Sequence, residues 1–387
     1  MIVYLTLTVL VLALATQIRA EEQSAYGADC TKQYLYNRIA LTGIFLALFL
    51  VCAMRINVGN DYGTYVEFMH RVASGFTHYV PTEPGFNFLA WATHALYGGR
   101  YYLIVFAIFA AGTVLCFLKG IWDMSDDFAM SFALFMLLGY YFQSISTVRY
   151  YLALGMAFYG IRYVLRGDYV RFLLLVIAGA MFHRSMLVIL VLYPLARLQW
   201  RKWMYAVFAA ACISCLFLQE AYLAILLRLY PSYEDTAYLE GGTSLINIAR
   251  CALMLLAAFI IYRKRLLECE RARDGAQAVL RFYCHANLMA LALYTFGSFL
   301  PIVSRIAYYL SVTQILMIPF LIERIEESGV RDAKRLKRIA RIAVLVVSLG
   351  YFVIYMRRAG NDGVRILPYQ SFLFHEMPPI LSERGIH

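Results

Sequence analysis

The sequence predicts an all-α protein that crosses a membrane many times. Hydrophobic residues make up 62% of the 387 residues, only 15% are charged, and the mean hydropathy is +0.64. Soluble domains contain about 45–50% apolar and about 25% charged residues, and one soluble core cannot bury this much apolar surface. The apolar residues also recur in runs that approach the ~20 residues of a membrane-spanning helix. These observations exclude a soluble enzyme, a secreted disulfide scaffold, a coiled coil and a disordered chain.

About twelve apolar segments follow one another along the chain. They lie at residues 2–17, 39–54, 101–118, 128–145, 150–164, 172–182, 185–196, 203–219, 244–262, 282–300, 304–322 and 342–356. No internal repeat, low-complexity stretch or separate soluble domain is apparent, so we expect one membrane domain over residues 1–387. Its outer face would carry a main loop with short helices over 55–100 and a tail over 357–387.

Residues 172–196 are predicted to form a short helical hairpin. A single helix would place His183 and Arg184 at mid-membrane and reverse the orientation of every later loop. Two arms, Phe172–Phe182 and Ser185–Ala196, avoid this, but at ~1.5 Å per residue each is only about 17 Å long against a core of ~30 Å. We therefore expect a hairpin that enters from the cytoplasm, with the His183-Arg184 tip below the outer surface.

Alternate loops differ in positive charge. One set carries 23 of the 35 Lys and Arg residues, namely loops 18–38, 119–127, 162–171, 197–202, 263–281 and 323–341. Because cytoplasmic loops are enriched in Lys and Arg, this set is predicted to be cytoplasmic, with both termini outside. A signal peptide cleaved near Ala20 would reverse the orientation, but the chain lacks its positive n-region. The same rule explains the net charge of +11 without any nucleic-acid partner.

Cysteine and acidic residues give no sign of a metal site. Most of the eight cysteines lie in or beside apolar segments, so we expect no disulfide. Cys212-x-x-Cys215 lies inside such a segment without polar neighbours, which favours packing over redox chemistry. No D-x-D motif lies on the outer side. We therefore expect no metal and no cofactor.

Isolated arginines lie on the predicted outer side, at Arg55, Arg149, Arg184 and Arg305. Arginine near the bilayer centre costs about 2.5–3.5 kcal/mol on insertion scales, so such residues need a partner or a function. A guanidinium presents a planar fork of donors that binds phosphate bidentately, which suits the diphosphate of a lipid-linked substrate. The alternative is that each side chain reaches the interface or pairs with an acid such as Asp61 or Glu83.

Other outer residues are candidates for catalysis and sugar binding. Asp61 and Glu83 could act as a general base, or could form salt bridges or helix caps. His183 could orient a phosphate or move a proton, or could bond to a backbone carbonyl. Tyrosine rings stack on sugar faces, although an aromatic belt at the interface is the alternative explanation. The tyrosines concerned are Tyr62, Tyr65, Tyr150, Tyr308 and Tyr309.

Short motifs in this order resemble the EpsG family of Wzy-type polysaccharide polymerases. They are R-I-N-V-G-N-D-Y-G-T-Y (55–65), E-P-G-F (83–86), V-R-Y-Y-L-A-L-G (148–155), F-H-R-S-M-L (182–187), S-R-I-A-Y-Y (304–309) and L-P-Y-Q-S (367–371). Each motif alone is weak, and the ordered set is more specific. Tyr150 departs from the family pattern, which usually has Gln after the arginine.

The resemblance implies a multi-pass protein of the bacterial inner membrane with a glycosyltransferase-C-like helical architecture. Its active site would lie on the periplasmic side, where both termini are predicted. It would join oligosaccharide repeat units carried on undecaprenyl diphosphate into exopolysaccharide, capsule or O-antigen. Expected partners are that lipid-linked oligosaccharide, membrane lipid, and a flippase and a chain-length regulator of the same pathway.

We predict a metal-independent transferase that divides its roles among the outer residues. The predicted catalytic residues are Asp61, Glu83, Arg149 and His183. The predicted substrate-binding residues are Arg55, Tyr62, Tyr65, Tyr150, Arg184, Arg305, Tyr308 and Tyr309. Arg149, Arg55 and Arg305 would hold the donor diphosphate and stabilise the leaving group.

Three alternative functions remain open. An O-antigen-type ligase or a lipid-linked sugar transferase would use the same chemistry on another acceptor. A flippase or transporter would need polar residues along a path to both faces, and the inner half of this chain is poor in them. An O-acyltransferase would need a pocket for an acyl donor.

Overall fold

The computed structural model describes residues 1–19, 32–75, 82–229, 244–266, 275–300, 303–328, 332–361 and 364–376. These residues form helices and no β-strand, and Arg55 and Ser371 make an isolated antiparallel bridge. The prediction of an all-helical chain is confirmed. Parts of the predicted loops 18–38 and 263–281 and the end of the predicted tail after residue 376 lie outside the described residues.

The described ranges contain seventeen α-helices. In chain order they are α1 (Ile2–Ala15), α2 (Lys32–Ala53), α3 (Tyr62–Ala73), α4 (Pro84–Tyr97), α5 (Tyr102–Met124), α6 (Phe128–Leu137), α7 (Tyr140–Ser146), α8 (Val148–Arg166), α9 (Tyr169–Ala180), α10 (Ile189–Arg197), α11 (Lys202–Phe217), α12 (Gln219–Leu229), α13 (Leu245–Leu266), α14 (Gly275–Phe296), α15 (Val303–Ser311), α16 (Gln314–Glu323) and α17 (Ala333–Arg358). Two 3₁₀ segments occupy Arg184–Val188 and Arg324–Ser328.

Each predicted apolar segment overlaps one helix or two consecutive helices. Within the described residues, four helical stretches are long and apolar enough to cross a membrane, namely α2, α5, Val303–Glu326 and α17. The number rises to six if the bent pairs α6–α7 and α11–α12 each count as one span. The chain is therefore a membrane protein by the length and composition of its helices.

Local interactions fix both the start of α6 and the bend between α6 and α7. Asp127 precedes α6, and its carboxylate accepts a hydrogen bond from the Met130 N–H at 3.0 Å, which caps the helix. The helix ends before Gly139, whose φ of +82° lies in the left-handed region that glycine adopts without strain. The two helices meet at 43°.

Residues 172–196 fall on two short helices and the segment between them. At ~1.5 Å per residue, α9 is about 18 Å long and α10 about 14 Å long, each well short of a ~30 Å hydrocarbon core. His183 follows α9 directly, and Arg184 begins the 3₁₀ segment that leads into α10.

The chain divides into two compact units. Unit 1 comprises Met1–Arg162, Leu174–Met186 and Arg335–His387, and unit 2 comprises Tyr163–Leu173 and Leu187–Lys334. The interior of unit 1 is rich in aromatic residues. Phe117 lies 4.7 Å from Phe135 and 5.3 Å from Phe158 between ring centroids, and the Tyr141 hydroxyl donates to the Leu48 carbonyl at 2.8 Å.

Unit 2 is organised around α14, which packs against α10, α13 and α15. The buried Tyr193 hydroxyl donates to the Tyr309 carbonyl at 2.9 Å. The Gln314 amide donates to the Asn287 side-chain oxygen at 2.7 Å. Buried polar side chains are costly in an apolar interior unless they bond to one another, so these pairs specify how the helices align.

Large apolar side chains point outward from the long helices. Leu115 of α5 is 52% exposed and Val347 of α17 is 71% exposed. Extended exposed apolar faces are unfavourable in water, whereas a helix satisfies its own backbone hydrogen bonds and can present such a face to lipid.

Candidate functional site

An ion pair between Glu83 and Arg149 lies at the centre of the candidate site in unit 1. Glu83 is the N-cap residue of α4, and Pro84 begins the helix with a backbone angle suited to that position. Arg149 lies in the first turn of α8, which begins two residues before the apolar segment predicted at 150–164. The Arg149 Nη1 donates to Glu83 Oε2, and the two side chains are only 14% and 10% exposed.

The second oxygen of Glu83 connects this pair to the segment after α9. Glu83 Oε1 accepts a hydrogen bond from the Arg184 backbone N–H at 3.2 Å. Beside it, the Gly85 N–H donates to the Met181 carbonyl at 2.8 Å. A Cβ on Gly85 would lie 2.7 Å from that carbonyl oxygen, so only glycine allows this approach. The motifs E-P-G-F, V-R-Y-Y and F-H-R-S therefore meet at Glu83.

Aromatic rings flank the Arg149 guanidinium. Its central carbon lies 5.4 Å from the Tyr65 ring centroid and 5.3 Å from that of Phe86. Contacts of this kind attract a cation to the ring face and orient the guanidinium plane. The Arg149 Nε is buried and has no hydrogen-bond partner among the described residues.

His183 and Tyr150 contact each other at the same place. Their rings meet edge to face with centroids 5.3 Å apart, and His183 Nδ1 lies 2.7 Å from Ser185 Oγ. Tyr150 is buried, so the residue that departs from the family pattern packs against the segment after α9. The Arg184 side chain is exposed.

Arg55 is buried at the end of α2. It is 1% exposed, its Nε donates to the Val58 carbonyl at 3.3 Å, and its Nη1 donates to the Cys52 carbonyl. Its Nη2 has no partner among the described residues. The guanidinium lies 5.0 Å from the Phe106 ring, on which Tyr62 stacks at 4.7 Å.

Tyr62 offers a second buried donor near Arg55. Its hydroxyl donates to no acceptor among the described residues. Burial raises the pKa of Tyr62 above its usual value, so the hydroxyl stays protonated at neutral pH. Asp61, directly before it, is half-buried and is the N-cap residue of α3, but its side chain does not cap the helix.

The segment after Arg55 is held by the C-terminal motif and by the α7–α8 connection. The Ile56 N–H donates to the Gln370 carbonyl at 3.1 Å, and the Gly59 N–H donates to the Arg365 carbonyl at 2.9 Å. The Asn60 N–H donates to Ser146 Oγ at 3.0 Å. Gly59 has a φ of +105°, and a Cβ there would lie 2.6 Å from the Ile145 carbonyl oxygen.

Unit 1 therefore brings together five of the six sequence motifs. The sixth, S-R-I-A-Y-Y, lies in α15 of unit 2, with Arg305 and Tyr308 half-buried and Tyr309 buried. No group of three or more His, Cys, Asp or Glu side chains within the described ranges could hold a metal ion.

The comparison with protein families agrees with the ordered motifs. The family that matches is described as the EpsG family, and the match covers residues 38–371. The chain belongs to the EpsG family. The matched range contains every candidate residue described above. Membership indicates a polysaccharide polymerase-type role with glycosyltransferase-like chemistry, and it supports assignment to a membrane. No curated protein and no solved structure matches the chain.

Several residues of this EpsG-family site were not predicted from the sequence. Phe86 and Phe106 provide rings for Arg149 and Arg55, and Gly59 and Gly85 allow close backbone contacts. Both glycines stand inside the motifs found in the sequence, and this position could have identified them. Phe86 also stands inside such a motif, E-P-G-F, whereas Phe106 occurs in an apolar stretch and carries no distinguishing signal.

Proposed function

We propose that this protein polymerises oligosaccharide repeat units carried on undecaprenyl diphosphate, by glycosyl transfer on the periplasmic face of the bacterial inner membrane. The observation that carries the proposal is the meeting of three family motifs at the Glu83–Arg149 pair, with Tyr65 of a fourth motif beside Arg149. The outer location rests on the distribution of Lys and Arg between alternate loops. Twelve spans and a glycosyltransferase-C-like architecture belong to the same proposal.

Arg149 and Arg184 would bind the diphosphate of the donor. Both are anchored on Glu83, one through its side chain and the other through its backbone N–H, which leaves the exposed Arg184 side chain available. Arg149 keeps a buried Nε without a partner, and a phosphate oxygen would satisfy such a donor. Arg305 was also predicted from the sequence to hold the diphosphate, and that role stays a prediction.

Arg55 would act through its electric field. Among the described residues it bonds to carbonyl and sulfur atoms rather than to a carboxylate. A buried positive charge without a counter-charge is costly, and a bound diphosphate would lower that cost. Arg55 would therefore strengthen diphosphate binding without direct contact.

Asp61 is the better candidate for the general base. Both oxygens of Glu83 already accept hydrogen bonds, one from the Arg149 side chain and one from the Arg184 backbone N–H, so Glu83 is engaged in holding parts of the chain in place. In the proposed step the acceptor hydroxyl oxygen attacks the anomeric carbon of the donor, and its proton passes to Asp61. The bond from that carbon to the diphosphate oxygen breaks, and the lipid diphosphate leaves with the electron pair. No metal is needed, because the arginines stabilise the charge on the leaving group.

The sugar would lie against aromatic residues around the same pair. Tyr65 flanks Arg149, and Tyr150 contacts His183. Tyr62 carries an unsatisfied buried hydroxyl near Arg55 that could bond to a sugar or phosphate oxygen. His183 would orient the diphosphate. Sugar binding by Tyr308 and Tyr309 stays a prediction from the sequence.

The proposal is tested by the lipid-linked glycans of a strain that lacks this protein. Single repeat units should accumulate on the outer face, and polymer should return with the wild-type protein but not with Arg149→Ala. Single units trapped on the cytoplasmic face would instead identify a flippase. Normal polymer detached from its final acceptor would identify a ligase.

A further inference from the structure

A groove of about 470 Å³ runs between α2 and α5 in unit 1. Its wall includes two cations, Arg38 and Lys119, and two interface-type aromatics, Tyr34 and Trp122. Leu115 and Leu118 form part of its apolar floor. In a bound lipid, the cations would contact the headgroup and the aromatic rings would lie at the interface. The aliphatic side chains would contact the acyl chains.

The charge around the groove is positive. The Arg38 Nε donates to the Tyr34 hydroxyl at 3.1 Å, which orients the guanidinium and leaves its two terminal nitrogens for another acceptor. Lys119 lies 2.6 Å from Asp123, and Asp123 also pairs with Arg162. Lys119 and Arg162 therefore share one carboxylate, and Arg38 adds a further positive charge on the wall of the groove.

The groove lies far from the Glu83–Arg149 pair. Arg55 at the other end of α2 contacts Phe106 near the start of α5, whereas Arg38 and Lys119 line the groove together. The two helices are therefore antiparallel, and at ~1.5 Å per residue the groove lies about 20 Å along them from Phe106. This is the end predicted to face the cytoplasm.

We propose that this groove binds one anionic phospholipid of the surrounding bilayer through its phosphodiester. The small positive surplus suits a single negative charge, and the groove is remote from the residues proposed to hold the lipid diphosphate. Bound lipid would bridge α2 and α5, whose opposite ends carry Arg55 and Phe106. The site is thus a lipid cofactor site rather than a second substrate site.

The test uses the full chain in phosphatidylcholine vesicles that contain a small share of photoactivatable phosphatidylglycerol. After illumination, mass spectrometry should find lipid adducts on the peptides that span residues 34–45 and 115–122. Unlabelled phosphatidylglycerol should abolish the adducts, whereas added phosphatidylcholine or inorganic phosphate should not. Competition by inorganic phosphate would overturn a lipid site, and stronger competition by undecaprenyl phosphate would overturn the assigned occupant.

Matched variants distinguish the loss of a positive charge from a general loss of folding. Arg38→Gln and Lys119→Gln should each weaken labelling about fivefold, since one cation near the surface contributes on that order to anionic-lipid binding. Lys119→Arg should retain labelling. Arg166→Gln removes an exposed cation on the same predicted face and should change nothing. Equal losses in Arg38→Gln and Arg166→Gln, or labelling spread evenly over all helices, would overturn the proposal.

Discussion

Glu83 holds two parts of the chain with its two carboxylate oxygens. One accepts from Arg149 of α8 and the other from the Arg184 backbone N–H, so the residue positions both arginines. From the sequence, Glu83 could be a general base or a salt-bridge partner. The geometry favours the salt bridge. Glu83 thus fixes the Arg149 guanidinium and the backbone at Arg184.

Glu83→Gln tests this role of the pair. The amide can still accept from the Arg184 N–H, but the buried Arg149 loses its counter-charge, which typically costs about 3 kcal/mol. We expect lower stability and loss of polymer. The measurements are the thermal midpoint of the purified chain and polymer yield in a complemented deletion strain.

Glu67→Gln is the matched control. Glu67 pairs with Arg71 one turn away on α3, and both side chains are nearly half exposed, at 48% and 46%. Exposed pairs contribute at most about 1 kcal/mol, so the change should be small. Similar losses in the two variants would contradict the role given to Glu83.

At the scale of elements, the start of α4 fits against the segment after α9. Gly85 is the contact point, because a Cβ would lie 2.7 Å from the Met181 carbonyl oxygen and 2.8 Å from the Met181 Cβ. We expect Gly85→Ala to destabilise the protein by about 1–3 kcal/mol, as overpacking does, and to abolish activity by displacing Glu83. Thermal unfolding and polymer yield measure the two effects.

Gly63→Ala provides the comparison for Gly85. Gly63 lies in α3, and a Cβ there meets no atom within 4 Å. Alanine in a helix interior is favoured over glycine by roughly 0.5–1 kcal/mol, so this variant should be slightly more stable. Equal behaviour of the two alanine variants would show that the close contact at Gly85 has no role.

The packing of α3 against α4 predicts a pH dependence. Burial, followed by the nearby His94, lowers the pKa of His70, whose Nδ1 lies 3.4 Å from the Tyr101 hydroxyl. Since the folded state disfavours the charged form, stability should be full above the unfolded pKa of about 6.5 and should fall as pH drops below it.

The pH dependence is measured as the thermal midpoint of the purified chain between neutral and mildly acidic pH. Replacing His70 with Phe removes the titrating group while keeping a ring beside Tyr101 and Tyr102. The acid-side loss of stability should shrink in His70→Phe. An unchanged pH profile would assign the effect to other groups.

At the scale of the whole molecule, the charge distribution predicts which loops face the cytoplasm. Single cysteines introduced as Arg100→Cys and Asp126→Cys lie in loops at opposite ends of α5. A membrane-impermeant maleimide should label residue 100 in intact cells and should label residue 126 only after the membrane is opened. Labelling in the reverse pattern would invert the orientation and move the Glu83–Arg149 pair to the cytoplasmic face.

The helices could be predicted from the sequence because apolar runs have a local signature. The break between the two arms was inferred from the polar pair His183-Arg184 and from the positive charge of the later loops. The extents of α3 and α4 needed the structure, since they depend on packing partners. The bend at Gly139 also needed the structure, because one glycine in an apolar run does not by itself indicate a break.

The site was predictable only as a set of residue types. Glu83 and Arg149 are 66 residues apart, and the Tyr4 hydroxyl donates to the Ile366 carbonyl across 362 residues. No local pattern encodes such pairings. The ordered motifs identified the participants, but their meeting around Glu83 and the burial of Arg55 are properties of the folded chain.

The central claim is that the Glu83–Arg149 pair supports polymerisation of lipid-linked repeat units. The most direct test reconstitutes the purified full chain in vesicles with undecaprenyl-diphosphate-linked repeat units and a metal chelator, and resolves the products by size. We predict a ladder of polymers with the wild type and none with Arg149→Lys, because lysine lacks the planar fork that would bind Glu83 and phosphate together. An equal ladder from Arg149→Lys, or no ladder from a folded wild type until metal is restored, would contradict this account.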